Sequence, residues 1–129
     1  MEEHWIEVSR GLTDSAEVIL CDADLLFSSK IEAASAKRGL TTKVTLDLRE
    51  LMEELERAKP RMVFLNLDAA EGELGALAKF GAICKIVGYY SHVNTRLAAE
   101  ANRVGIANVF SRGALVGKLD ELLTEAASG

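Results

Sequence analysis

The chain has 129 residues, of which 49% are hydrophobic and 27% charged, and its formal net charge is −5. This length and balance predict one globular domain whose core needs no disulfide or metal to hold it. The acidic charge, without a cluster of Lys or Arg, disfavours nucleic acid and anionic membranes as partners. No apolar run reaches the roughly 20 residues that span a bilayer.

The cysteines and the first residues indicate the compartment. Cys21 and Cys84 lie in separate apolar runs, without the spacing of a CxxC or a Cys/His metal site. They are therefore expected to be buried, reduced thiols. The opening residues, MEEHWIEV, lack the basic and apolar regions of a signal peptide. We expect a cytoplasmic protein.

Residues 1–16 show no sustained periodicity and are predicted to be an N-terminal extension of a domain over residues 17–129. The extension contains Trp5, the only tryptophan of the chain. An indole is seldom left fully in water. We therefore expect Trp5 to cover apolar surface, either on its own domain or on a partner subunit.

Strand-like and helix-like segments alternate along the rest of the chain. Short apolar runs predict strands over residues 18–21, 43–46, 62–67, 84–90 and 106–110. Helical spacing follows each run: from the N-cap Asp24 to Gly39, from the N-cap Asp47 through residues 48–58, over residues 74–80, from the N-cap Asn94 to residue 103, and over residues 114–126.

Five such units with short connections predict a parallel sheet that is covered by helices on both faces. We predict an α/β fold of the flavodoxin-like type: a doubly wound, three-layer αβα sandwich whose strand order is 2-1-3-4-5. In such sheets the carboxyl ends of the strands carry ligands and chemistry.

Polar side chains collect at these strand ends. The segments CDAD, VFLNLD, YYSH and GIANVFSRG close or follow the first, third, fourth and fifth strands. Their order and spacing resemble the receiver domain of the response regulators of two-component signal transduction, the CheY-like family, over residues 17–126. The resemblance implies a site made from Asp22, Asp24, Asn66, Asp68, Tyr90, Ser91 and Arg112.

The chain departs from that family at the positions that carry its chemistry. A receiver uses an aspartate at the end of the third strand as phosphoacceptor, and the resemblance places Asn66 there. An amide cannot act as a carboxylate nucleophile. Tyr90 falls on the Thr/Ser position, and Arg112 on that of the lysine. We therefore predict a pseudo-receiver, a signalling module that works by protein contact without phosphate, catalytic residue or cofactor.

Two alternatives remain open. A two-residue shift in the alignment makes Asp68 the phosphoacceptor, with Asp22, Asp24 and Asp68 as oxygen ligands of Mg²⁺. A separate one-residue shift makes Ser91 the hydroxyl. Otherwise Asp24 caps a helix and Asp22 pairs with Arg112. The second alternative is a small-ligand-binding enzyme of flavodoxin-like fold, although no GxGxxG, Walker or nucleophile-elbow motif is present.

A module without its own output needs a partner, and no DNA-binding or catalytic segment follows the last predicted helix. The resemblance implies a contact face on the fifth strand and the helices flanking it. That face would present Arg96, Glu100, Arg103, Lys118 and Glu121 to another signalling protein. Homodimerisation through this face or through the Trp5 segment also remains open.

Overall fold

The fold is a parallel sheet covered by helices on both faces. The structure is a computed structural model, and it describes residues 16–70, 73–80, 84–91, 95–106 and 108–128. Five strands pair in the order β2-β1-β3-β4-β5, and all four pairings are parallel. The predicted flavodoxin-like architecture and its strand order are confirmed. The strands are β1 (Val18–Cys21), β2 (Thr42–Thr45), β3 (Met62–Asn66), β4 (Lys85–Tyr90) and β5 (Asn108–Ser111).

The described residues form four α-helices and two 3-10 helices. The α-helices are α1 (Leu25–Ala36), α2 (Leu48–Arg57), α3 (Thr95–Arg103) and α4 (Arg112–Ser128), and the 3-10 helices are Leu67–Ala70 and Leu74–Phe80. The short helix predicted over residues 74–80 is present with those bounds and is a 3-10 helix. It contains Gly75, a poor helix former, and its first turn closes through Ala76 N–H to Glu73 O, an i to i+3 bond.

Local signals set the helix starts as predicted. The Asp24 carboxylate accepts hydrogen bonds from the amides of Leu26 and Phe27, and the Asp47 carboxylate accepts one from Glu50 N–H. Each cap satisfies amides that have no partner within the helix. After α1, Gly39 adopts φ +73°, a conformation that glycine adopts without a steric penalty. The predicted cap Asn94 lies outside the described residues.

Strand alternation divides the core into two layers. Ile19, Val63 and Leu65 face α2 and α3. Val18, Leu20 and the side chains in register with them face α1 and α4. The three-layer arrangement is thus confirmed, and residues of one parity at the ends of the strands emerge together on the α1/α4 side.

The structure also bears on the predicted reduced thiols and on the predicted lack of a membrane-spanning segment. Cys21 and Cys84 are both free thiols; Cys21 is buried and Cys84 is half-buried. Burial raises the pKa of the Cys21 thiol to about 11, so this group stays neutral near pH 7. None of the helices in the described part of the chain combines the length and the apolar character that crossing a bilayer requires.

Gly88 in β4 leaves no room for a side chain. A Cβ at this position of β4 would lie 2.8 Å from Leu67 Cδ2, and Leu67 is fully buried. We expect Gly88→Ala to lower the free energy of unfolding by about 1–3 kcal/mol because the core is overpacked, measured by urea denaturation. In the double variant with Leu67→Ala the two losses should be less than additive, because the second change removes the clash.

Gly117→Ala is the matched control. A Cβ there meets nothing within 4 Å, and alanine favours a helix over glycine by about 1 kcal/mol, so this variant should be at least as stable as the wild type. Equal stability of the wild type and the Gly88→Ala variant would contradict the packing described for β4.

Candidate functional site

One polar cluster occupies the carboxyl end of the sheet on the α1/α4 side. We call it the Asp22 cluster, and its members are Asp22, Asp24, Asn66, Tyr89 and Arg112. Asp22 continues the parity of Val18 and Leu20 in β1, and Asn66 that of Met62 and Phe64 in β3. Because the strands are parallel and in register, these side chains lie close together at the carboxyl end of the sheet.

The Asp22 carboxylate lies at the centre of the cluster and is 1% exposed. Its Oδ1 accepts hydrogen bonds from Asp24 N–H at 2.9 Å and from Asn66 Nδ2 at 3.2 Å. Its Oδ2 accepts one from the Tyr89 hydroxyl at 2.7 Å. A buried carboxylate is tolerated only when such donors replace its hydration. Asp22 is therefore satisfied by the protein itself.

Arg112, the first residue of α4, supplies the positive charge. Its Nη1 donates to Asp24 Oδ2 at 2.7 Å, and its Nη2 lies 3.7 Å from Asp22 Oδ2. The guanidinium carbon also lies 4.4 Å from the centre of the Phe27 ring, a cation–π distance. One guanidinium therefore bridges both carboxylates and is held against an aromatic face. The pairing of Asp22 with Arg112 that the sequence left open is present.

Asp24 serves as helix cap and ion-pair partner at once. Its Oδ1 accepts from the amides of Leu26 and Phe27 at 3.1 and 3.2 Å. Its Oδ2 accepts the hydrogen bond from Arg112 Nη1. The Arg112 hydrogen bond, and after it the Phe27 amide, hold the pKa of the Asp24 carboxyl below its ordinary value. Both oxygens are committed to groups of the protein itself.

The side chain that β4 contributes is Tyr89, which corrects the assignment of Tyr90. Tyr89 is fully buried, and its ring centre lies 5.1 Å from that of Phe27. Tyr90 is half-buried and Ser91 is exposed. Alternation along β4 places Tyr89 with Val87 on the α1/α4 side, and Tyr89 is in register with Asn66. Burial, and then the Asp22 carboxylate, raise the pKa of the Tyr89 phenol, which therefore remains a donor.

Asn66 ends β3, and Asp68 lies beyond it. Asp68 N–H donates to Asn66 Oδ1 at 3.1 Å. The side-chain oxygen of Asn66 therefore points to the backbone of Asp68, and its Nδ2 points to Asp22. Asp68 itself is exposed in the 3-10 helix that follows the strand. The structure thus places the amide in the cluster and the neighbouring acid outside it.

These positions do not suit the Mg²⁺ site that the resemblance implies. Mg²⁺ requires near-octahedral oxygen ligands that are free to coordinate it. Among the described residues, no three His, Cys, Asp or Glu side chains come together as a possible metal site. Asp22, Asp24 and Asp68 are not gathered around one point, and the oxygens of the first two already accept hydrogen bonds.

A surface groove adjoins the cluster. Its volume is about 330 Å³, and it lies between the start of α1 and the start of α4. The groove is lined by Asp24, Leu26, Phe27, Lys30, Arg112, Gly113 and Val116. His92, which follows the fourth predicted strand, lies outside the described residues.

The predicted contact face lies beside the cluster, on α3 and α4. Its side chains Arg96, Arg103, Lys118 and Glu121 are exposed and Glu100 is half-buried. Lys118 and Glu121 form an ion pair of 3.9 Å along α4. The face therefore presents charges of both signs to solvent, and Arg112 connects it to the Asp22 cluster at the start of α4.

Comparison with known proteins supports the fold assignment. No protein-family model matches the chain, and no curated protein matches it either. Solved structures do match. A response regulator from Thermotoga maritima superposes with a TM-score of 0.72 at 17% identity, over 87% of this chain and 97% of its own.

Two further structures agree. The signal receiver domain of the response regulator NarL from Mycobacterium tuberculosis has a TM-score of 0.71 at 14% identity, with 89% of this chain and 98% of its own covered. A Burkholderia pseudomallei response regulator with a phosphorylated aspartic acid and a calcium ion has a TM-score of 0.65 at 13% identity, with 86% and 70% covered. The chain therefore has the fold of response-regulator receiver domains.

Proposed function

We propose that the protein is a pseudo-receiver, a signalling module that acts through protein contact and is not phosphorylated. The observation that carries the proposal is the Asn66 amide at the end of β3, which donates to the buried Asp22 carboxylate. The receiver chemistry requires a carboxylate nucleophile at that place, and an amide does not supply one.

The internal pairing of the Asp22 cluster supports the same function. In a receiver the acidic pair holds Mg²⁺ and a lysine offsets the charge of the phosphoryl group. Here Arg112 contacts Asp24 and Asp22 directly, and Tyr89 donates to Asp22. The oxygens of both acidic groups thus have partners within the protein, which supports a function without a bound ion or phosphate.

The alternative phosphoacceptor is Asp68. The Burkholderia pseudomallei neighbour is described with a phosphorylated aspartic acid and a calcium ion. In this chain Asp68 is exposed, and Asp22 and Asp24 direct their oxygens to other donors. The arrangement therefore favours the unphosphorylated module over a phosphoacceptor that uses Asp68.

The partner we propose is another signalling protein, bound through α3, β5 and α4. The exposed Arg96, Arg103, Lys118 and Glu121 suit a surface of mixed charge, where complementary charges fix orientation and steer association. Because Arg112 begins α4, the Asp22 cluster fixes the start of the helix that carries part of this face.

Incubation with acetyl phosphate and Mg²⁺ tests the proposal. We expect intact-protein mass spectrometry to detect no phosphorylated species of the wild type, while a conventional receiver treated in parallel is modified. Asp68→Asn is the matched control. A phosphorylated wild type whose modification disappears in Asp68→Asn would overturn the proposal in favour of the alternative.

Asn66→Asp places a second carboxylate against Asp22. Two carboxylates within hydrogen-bond distance of each other repel, and this repulsion raises the pKa at which one of them gains a proton. We expect the variant to lose roughly 1–3 kcal/mol of unfolding free energy at pH 7. A raised folded-state pKa penalises stability above that pKa, so the loss should shrink as the pH falls and one carboxyl is protonated. Urea denaturation measures both effects, and Mg²⁺ should restore part of the loss.

Asn102→Asp is the control, because Asn102 is exposed on α3 and the chemical change is the same. Its stability should vary little with Mg²⁺. An Asn66→Asp variant as stable as the wild type at pH 7 would show that Asn66 does not face Asp22.

Tyr89→Phe removes the hydroxyl that donates to Asp22. The buried carboxylate then lacks a donor, and we expect the free energy of unfolding, measured by urea denaturation, to fall by about 1–3 kcal/mol.

The wild type should also lose stability above pH ~10, because the Tyr89 phenol ionises at its ordinary pKa only in the unfolded chain. Absorbance at alkaline pH in Tyr90→Phe, where Tyr89 is the sole tyrosine, should show ionisation only on unfolding. Ionisation of Tyr89 in the folded protein would contradict the hydrogen bond.

A further inference from the structure

A polar groove lies between strand β2 and helix α2, on the face of the sheet opposite the Asp22 cluster. Its volume is about 330 Å³, and its described lining consists of Lys43, Val44, Thr45, Glu50, Glu53, Glu54 and Arg57. We call it the β2 groove. It shares no described residue with the Asp22 cluster or with the predicted contact face on α3 and α4, so a ligand here is independent of the proposed function.

Strand β2 lies at the end of the sheet, and among the described strands it pairs only with β1. On that side the Asp22 amide donates to Thr45 O at 3.0 Å. Successive residues of a strand direct their amide and carbonyl to alternate sides, so those of Thr42 and Val44 point away from β1. Such outward groups are a template for pairing with another strand.

The side chains of β2 determine which side chains suit a segment paired with it. Lys43 lies on the α2 side, where its Nζ donates to Glu54 Oε1 at 2.7 Å, and Val44 packs against the α1/α4 core layer. A paired strand follows the same alternation, so every second side chain of it lies over the groove. The Leu46 amide donates to Glu50 Oε1 at 2.9 Å, which closes the edge beyond residue 45.

Glu54 is a buried carboxylate in the wall of the groove, and its pairing is incomplete. It is 4% exposed, and its Oε1 forms ion pairs with Lys43 and Arg57. Its Oε2 is also buried and has no hydrogen-bond partner among the described residues. A buried, charged oxygen without a donor is costly. A donor that enters the groove would therefore be stabilised by this carboxylate.

The groove also carries more negative than positive charge. Three carboxylates and two cationic side chains line it: Glu50, Glu53, Glu54, Lys43 and Arg57. Both cations are ion-paired with Glu54, whereas Glu53 is exposed at the rim. A cationic side chain with N–H donors therefore complements the groove better than an acidic or an apolar one.

We propose that the β2 groove binds an extended segment of a partner protein, which adds to the sheet as an antiparallel strand beside β2. A Lys or Arg of that segment lies opposite Thr45, enters the groove and donates to Glu54. An apolar residue of the segment lies opposite Val44. Main-chain hydrogen bonds to Thr42 and Val44 supply the affinity of such a strand addition, and the basic side chain supplies its specificity.

A titration followed by ¹⁵N–¹H NMR tests the proposal, because it detects weak binding residue by residue. The probe is the capped peptide Ser-Val-Lys-Val-Thr-Val-Ser, added at millimolar concentration to the full chain. We expect saturable shifts of the Thr42 and Val44 amides and of the α2 amides around Glu54. Replacing the valine after the lysine by proline removes the amide that pairs with Val44 and should abolish binding. Replacing the lysine by glutamate should weaken it several-fold.

Variants of the protein locate the peptide. Val44→Pro removes an outward amide that β1 does not use and should abolish binding. Glu53→Lys reverses a charge at the rim and should weaken binding several-fold. Glu56→Lys is the matched control, because Glu56 is exposed on α2 outside the described lining of the groove, and it should leave the affinity unchanged. The spectra themselves show whether each variant is folded.

Three results of the titration would overturn the proposal: no saturable shift with the lysine peptide, equal binding of the lysine and glutamate peptides, or shifts confined to α3 and α4. Equal weakening by Glu53→Lys and Glu56→Lys would also overturn it, because only the general charge of the protein would then matter. Shifts of Thr42 and Val44 on concentrating the protein without peptide would assign the edge to a second copy instead.

Discussion

The buried charge of Asp22 is the constraint on which the functional end of the molecule depends. A carboxylate that is 1% exposed must have its hydration replaced by donors of the protein. The donors come from the loop before α1, from β3, from β4 and from α4. One charge therefore ties together the ends of four elements, and the loss of any donor leaves the others around an incompletely paired anion.

The amide of Asn66 changes what this arrangement requires. A carboxylate there would stand against Asp22 and require a cation between the two, whereas an amide offers a hydrogen on one side and an oxygen on the other. Both are used, toward Asp22 and toward Asp68 N–H. Arg112 then has two carboxylates to offset instead of three. One positive side chain therefore offsets part of the charge of the two carboxylates, and neutral donors of the protein satisfy their remaining oxygens, which is the physical basis of the proposed pseudo-receiver.

Much of the fold could be predicted because strands that are buried on both faces appear as apolar runs, and because Asp24, Asp47 and Gly39 mark helix ends by local chemistry. The segment Leu74–Phe80 has the apolar spacing of a helix, but that spacing does not distinguish a 3-10 helix from an α-helix. Tyr89 and Tyr90 are chemically alike, and only the parity shared with Val87 and the register with Asn66 decide which one enters the cluster. Pairing across strands is not encoded locally.

Arg112 links the Asp22 cluster to the helix that bears part of the predicted contact face. Its guanidinium is held by Asp24, Asp22 and the ring of Phe27, and its backbone starts the helix that bears Lys118 and Glu121. In a phosphorylated receiver, the charge at this site changes when the phosphoryl group arrives. Here the counter-charges are permanent parts of the chain. Under the proposed function, the start of α4 is therefore held by contacts within the chain and does not depend on the arrival of a phosphoryl group.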